Sequence, residues 1–204
     1  MLWQIKRHIL WILLAFLFVP THAQKKGYSQ GYIITNEGET IEGQVKDRSS
    51  GTFFELYKRV RFKPDRAAFK KKYGPGDILA YGYDSEYFES VPLLEESAFF
   101  KFRYYLHEGR DRVFLKVISS DKDLTWFHWE YVDSESNYLD FIPLFYLSGS
   151  SEMVRVSQGV LGLKRARLRE YFWECPALVR ALEKKELKEI HEVYNFYLDH
   201  CGRK

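Results

Sequence analysis

Apolar and polar residues alternate along much of this chain, and a period of two predicts strands. In GYIITNEGETIEGQV, apolar stretches at 32–35 and 40–45 flank Asn36-Glu37-Gly38-Glu39. Asn and Gly accept turn dihedrals, so the segment predicts a hairpin. KDRSSGT, at 46–52, reads as a loop by composition. In RVRFK, Val60 and Phe62 fall on one face and Arg59, Arg61 and Lys63 on the other, as in a half-buried strand. Gly74-Pro75-Gly76 breaks the pattern, because Pro fixes φ and Gly permits positive φ. Asp77 is then placed to cap a helical turn or to close a turn with its carboxylate.

From Leu79 onward one strand is expected, with Tyr81, Tyr83, Ser85 and Tyr87 on one face and Gly82, Asp84, Glu86 and Phe88 on the other. Strands at 99–106 and 112–118 follow, the second running through the polar loop SSDKD into LTWFHWEYV. That pair is the strongest hairpin signal in the chain. It sets Phe127, Trp129 and Tyr131 on one side and Trp126, His128 and Glu130 on the other. YLDFIPLFYLS and EMVRVS are the last strand-like pieces.

Near Gly159 the period lengthens to that of a helix. Leu161, Leu168 and Phe172 lie near one helical face of LGLKRARLREYFWE, and Cys175-Pro176 interrupts it. Pro176 suits the first position of a new helix, with Leu178, Val179 and Leu182 as its apolar side. Leu187, Ile190, Tyr194, Leu198 and Cys201 recur at helical spacing and predict a last helix over 187–201. The fold class is therefore mainly β (α+β): an antiparallel β-meander or open barrel over 24–157, with a C-terminal helical segment over 160–204 packed on or beside it.

Three short motifs carry a resemblance: Gly31 to Thr40 (GYIITNEGET), Tyr73 to Ile78 (YGPGDI), and Cys175 to Asn195, which ends in a Tyr-Asn pair. They resemble the GY(I/V)I-x3-G-[DE]-T hairpin, the YxPxDI-like element and the tail of a family of secreted proteins of unassigned function, common in Bacteroidetes-type bacteria. The resemblance spans most of the chain after residue 23. It implies a β-rich fold and export, and no activity.

The N-terminus points to the same destination. MLWQIKRH carries Lys6 and Arg7, ILWILLAFLFVP is an unbroken apolar run, and THA precedes Gln24. That is the order of a secretory signal peptide over 1–23, with cleavage expected after Ala23. The alternative is a retained anchor, although about a dozen apolar residues are short of the ~20 that span a bilayer. The full chain holds 31 Lys+Arg against 28 Asp+Glu, and loss of Lys6 and Arg7 leaves 29 against 28. A near-neutral chain has no electrostatic footprint for nucleic acid. A hydrophobic content of 46% with 18% aromatics suffices for a packed core and suits strands.

Cys175, His191, His200 and Cys201 are the residues most suggestive of chemistry. Zinc needs four ligands converging on one point. His191 and His200 stand half a turn out of phase and ~13 Å apart along one helix, so they cannot share an ion, and no metal or other cofactor is expected. A Cys/His nucleophile fares no better, because His200 and Cys201 diverge by ~100° on the helix. The remaining reading is a disulfide between Cys175 and Cys201, which export makes plausible. Helices over 176–184 and 187–201 would leave a ~9 Å offset, against the ~7 Å Cα limit of a bridge, so pairing stays open.

Lys164, Arg165, Arg167 and Arg169 form a possible anion-binding patch, or a solvated helix face. His128 and Glu130 share a strand face with Trp126, an acid/base pair beside an aromatic platform, as a sugar-processing site would have; a half-exposed sheet face looks the same. Phosphate-loop, nucleophile-elbow and zinc-protease motifs are missing from the sequence. The expected function is a non-enzymatic binding or structural module of the cell envelope, periplasmic, outer-envelope-associated or secreted. Its partner would be an envelope protein or polymer. The alternative is a small envelope hydrolase acting on carbohydrate or peptide. A membrane would be met only through the leader, if that is uncleaved.

Overall fold

The computed structural model describes residues 27–50, 55–65, 69–98, 101–109 and 111–202. The expected leader and its cleavage point lie outside the described residues. The strands are β1 (Ser29–Thr35), β2 (Thr40–Arg48), β3 (Leu56–Pro64), β4 (Lys71–Tyr73), β5 (Ile78–Tyr83) and β6 (Glu86–Val91). They continue as β7 (Leu93–Ala98), β8 (Lys101–Leu106), β9 (Val113–Ser120), β10 (Leu124–Val132), β11 (Leu139–Leu147) and β12 (Glu152–Arg155). Helices α1 (Arg165–Tyr171), α2 (Pro176–Glu183) and α3 (Ile190–His200) follow. The strands form one open antiparallel sheet in the order β4-β3-β2-β1-β5-β6-β9-β10-β11-β12-β8-β7, so the chain is mainly β with C-terminal helices.

The order departs from a simple meander where β7 and β8 are set at the far end. The stretch from β6 to β7 in that order begins and ends on strands that only Pro92 separates in the chain. Two consecutive strands cannot sit at opposite ends of a flat sheet, so this stretch rolls until its ends meet. Val91, Leu93, Tyr104, Leu115, Phe127, Leu144 and Met153 fill the roll as one core. The other sheet face carries two further cores. Ile33, Val45, Val60, Phe62, Ile78, Tyr81 and Phe88 pack within the N-terminal strands. Leu124, Phe145, Val154 and Val156 pack under the helices through Leu168, Phe172, Leu178, Leu182 and Val193. Tyr171 fastens α1 down: its hydroxyl accepts from the Leu147 N–H at 2.9 Å and donates to the Glu152 carbonyl at 3.0 Å.

Four expectations need correction. Lys46, Asp47 and Arg48 are not loop but the end of β2, because the alternation that buries Val45 continues to bury Asp47. The single strand expected from Leu79 is a hairpin, β5–β6, with Asp84 at φ 52° in its turn. The fold-back puts Tyr81 opposite Phe88, on one face rather than two, with rings stacked 4.6 Å apart. Asp77, by contrast, takes the second of its two expected roles and closes a turn: its carboxylate accepts the Gly74 N–H at 2.7 Å. The last helix starts at Ile190, not 187, where Glu189 and Glu192 form a capping box. Leu161 belongs to a separate single turn and is exposed, not part of the α1 face.

The later start removes most of the offset between the helices. An 11-residue α3 and an 8-residue α2 differ by ~4.5 Å rather than ~9 Å. Cys175 and Cys201, each one residue beyond a helix end, form a disulfide with Cα atoms 5.7 Å apart.

Candidate functional site

An ion network crosses the inner face of the N-terminal strands. Asp47 of β2 is 5% exposed, and Asp47 and Ser90 are the buried polar residues among those described. Arg48 donates to Asp47 through Nε and Nη2, both at 2.9 Å, and through Nη2 to Glu130 of β10, also at 2.9 Å. The β2–β3 register shifts between Lys46 and Arg48, where β2 advances two residues while β3 advances five, from Arg61 to Leu56. Tyr81 donates its hydroxyl to Asp47 Oδ2, and Tyr83 donates to the same carboxylate, at 3.1 Å each. Lys116 of β9 lies 3.8 Å from Glu130 and forms an ion pair with Glu86 of β6.

In sheet order β2 and β10 are five strand steps apart, ~24 Å along a flat sheet. An arginine and a glutamate cannot span that distance. The 2.9 Å contact therefore records how strongly the N-terminal half curls over its inner face, opposite in sense to the roll of the C-terminal half. Where the curl stays open lies a cleft of about 1090 Å³, lined by the start of β3, the Pro75-Gly76 turn, the start of β9 and the end of β10. Tyr81, Phe88 and Phe114 line it on the inner face, with Asp47 and Glu130 at its floor, while Tyr57, Trp129 and Tyr131 border it at the strand ends. Ser90 braces the rim, accepting from Arg112 Nε at 2.8 Å and donating to the Pro75 carbonyl.

Burial sets the proton affinities. It raises the Tyr81 and Tyr83 hydroxyls, and the Asp47 charge raises them further, so both remain donors. Burial alone would lower Arg48, but its hydrogen bonds and charge contact with Asp47 outweigh this and hold it charged. Burial also raises Glu130 above the usual carboxylate range, opposed by Arg48 and Lys116.

The expected acid/base pair shares a face, but its two members are held by different partners. Glu130 is held by Arg48 and Lys116, whereas His128 stacks on Phe141 at 3.8 Å between ring centroids. Burial, aided by Lys116, lowers His128 to about 4, so it is neutral at physiological pH. Its Nε2 is buried with no hydrogen-bond partner. The cations at 164–169 scatter into structural duties: Arg165 donates to the Leu187 carbonyl at 3.0 Å, Arg167 pairs with Glu170, and Arg169 pairs with Glu183 at 3.0 Å. Lys164 precedes α1, and burial lowers its proton affinity, with Arg155 and Arg167 adding to the effect. Both cysteines are in the disulfide, so neither offers a thiolate, and His200 bonds the Phe196 carbonyl at 3.1 Å.

Sequence reading missed Asp47 and Arg48. The signal was present: Asp47 falls two residues after Val45 on the buried face, where an acid must find partners. Compared with family models, curated proteins and solved structures, the chain matches none.

Proposed function

We propose that this protein is an exported, non-enzymatic binding module of the cell envelope, and that the cleft between β3 and the β9–β10 end holds a segment of envelope glycan or peptide. The observation that carries the reading is an aromatic-walled cleft of about 1090 Å³ whose floor charges are already paired with one another. Aromatic walls bind the flat faces of sugars or the side chains of a peptide without transferring protons. The disulfide between Cys175 and Cys201 supports an oxidising compartment. No helix among the described residues is long and apolar enough to cross a membrane.

The hydrolase reading has one observation of its own, the raised proton affinity of Glu130 at the cleft floor. One experiment separates the two. Immobilised protein is exposed to solubilised envelope glycans and peptides, and both retained and released material are measured. The module reading expects one class retained intact, with retention weakened about tenfold by Tyr131→Ala, which removes a cleft aromatic. Release of shortened fragments, abolished by Glu130→Gln, would support the hydrolase. Retention unchanged in Tyr131→Ala, or no retention, would sink the cleft as the site.

A further inference from the structure

The face of β2, β3 and β4 turned away from the N-terminal core carries a plane of cations. Lys46 pairs in register with Arg61, and Arg61 with Lys72, so the three stand side by side across three strands, ~4.8 Å apart per step. Lys63, two residues beyond Arg61, extends the plane ~6.7 Å along β3. Like charges directly opposite one another destabilise a sheet, and this row holds three. Aromatic rings hold the cations in place. Arg61 lies 3.8 Å over the Tyr57 ring, and Tyr28 meets Lys46 at 5.8 Å and Lys70 at 5.2 Å. The acids are fewer: Asp77 pairs with Arg59, Asp65 accepts a hydrogen bond from Gln30, and Glu42 stands on β2 two residues before Gln44, the register partner of Lys63.

Two further observations select the partner. Phe69, immediately before Lys70, Lys71 and Lys72, is 83% exposed. An apolar ring in water beside lysines matches the headgroup–acyl boundary of a bilayer, whereas a dissolved polyanion offers the ring nothing. The described chain also begins at this face, where Gly27 lies against the Lys46 ammonium and Ser50. Lys25 and Lys26, which stay with the chain after the expected cleavage at Ala23, immediately precede Gly27 in the sequence. We infer that the β2–β4 face docks on an anionic phospholipid bilayer, with Lys46, Arg61, Lys63, Lys70 and Lys72 facing the headgroups and Phe69 inserting between them. The cleft opens on the other side of these strands, and the two surfaces meet at Tyr57.

The test is flotation of the purified protein, in whichever processed form the cell yields, with vesicles of phosphatidylcholine alone or with phosphatidylglycerol added at about 30%. A leader left in place would bind both vesicles alike, so the difference between them reports the basic face. Binding should favour the anionic vesicles at least about tenfold at low salt and decline steeply as salt shortens the screening length. Neutralising Lys63, Lys70 or Lys72 to Gln should weaken anionic-vesicle binding about fivefold each, the equivalent of about 1 kcal/mol per cation. Phe69→Ser should weaken it by a factor that salt does not change. All these side chains except Lys63 are exposed, and unchanged unfolding midpoints would verify the fold. Equal binding to neutral and anionic vesicles, or Lys70→Gln and Phe69→Ser variants that float like the parent, would overturn the inference. Capture by soluble polygalacturonate without flotation would assign the face to a polymer and overturn the lipid reading.

Discussion

Asp47 concentrates the energetics of the inner face in one carboxylate. It accepts from both tyrosine hydroxyls and from two nitrogens of Arg48, so its charge is compensated by donors rather than by water. Asn would keep one acceptor oxygen and turn an NH2 group toward a guanidinium that only donates. Asp47→Asn is therefore expected to cost about 2–4 kcal/mol in urea unfolding, against about 1 kcal/mol for Tyr83→Phe, which removes one of several donors. His128 governs a different property, the response to acid. Its folded value of about 4 lies below the 6.5 of an unperturbed histidine, so the unfolded chain binds the proton more readily. The stability from neutral His128 is complete above pH ~6.5 and drains away as pH falls toward ~4. Glu130 and Glu89, raised by burial, act in the opposite sense, and His128 supplies the part of the stability that is lost as pH falls from ~6.5 toward ~4. Its ring is partly exposed, which limits the loss to no more than about 2 kcal/mol. Unfolding midpoints across that window should flatten in His128→Gln; an unchanged slope would assign the acid response elsewhere.

Among the elements, the helical cap depends most on covalent help. Helices α1 and α2 are 7 and 8 residues long, too short to persist alone, and they hold together by packing on β10–β12 and through the Cys175–Cys201 bridge. The bridge closes a separation of 26 residues, so the Cys175→Ser/Cys201→Ser pair should lose about 3 kcal/mol in denaturant unfolding. A loss below about 0.5 kcal/mol would mean that packing alone sets the cap. The β9–β10 hairpin and the faces of Trp126, His128 and Glu130 were legible in the sequence, because a period of two over nine residues has one solution. The β5–β6 hairpin was not: Asp84-Ser85 preserves the alternation through the turn, and only the tolerance of Asp for positive φ hints at a reversal. β7 escaped for another reason. LLEESA has little alternation, and it is a strand because the rolled sheet needs a partner for β8. The cleft was illegible altogether, since it is made by residues that only the curl of the sheet brings together.

At the scale of the molecule, that curl is the property on which the cleft depends. A 12-stranded antiparallel sheet that rolls one way over its C-terminal half and the other way over its N-terminal half must store its second bend somewhere. The apolar interior of the N-terminal strands, from Ile33 to Phe88, favours closure but reaches only as far as the apolar side chains do. Beyond them the Arg48–Glu130 contact links β2 directly to β10, with Lys116 steadying Glu130 from β9. Both side chains are mostly buried, at 21% and 12% exposure, so the link is far less screened than a surface pair. A double-mutant cycle with Arg48→Met and Glu130→Gln isolates it from the bonds that each residue makes elsewhere. Coupling of about 1–3 kcal/mol is expected. Both single variants should also speed hydrogen exchange at β2 and β3 amides more than at β10 and β11, because the outer strands are the ones the link pulls inward. Coupling within about 0.3 kcal/mol of zero would show that the apolar core alone holds the curl, and that the ion network fills the cleft floor without shaping it.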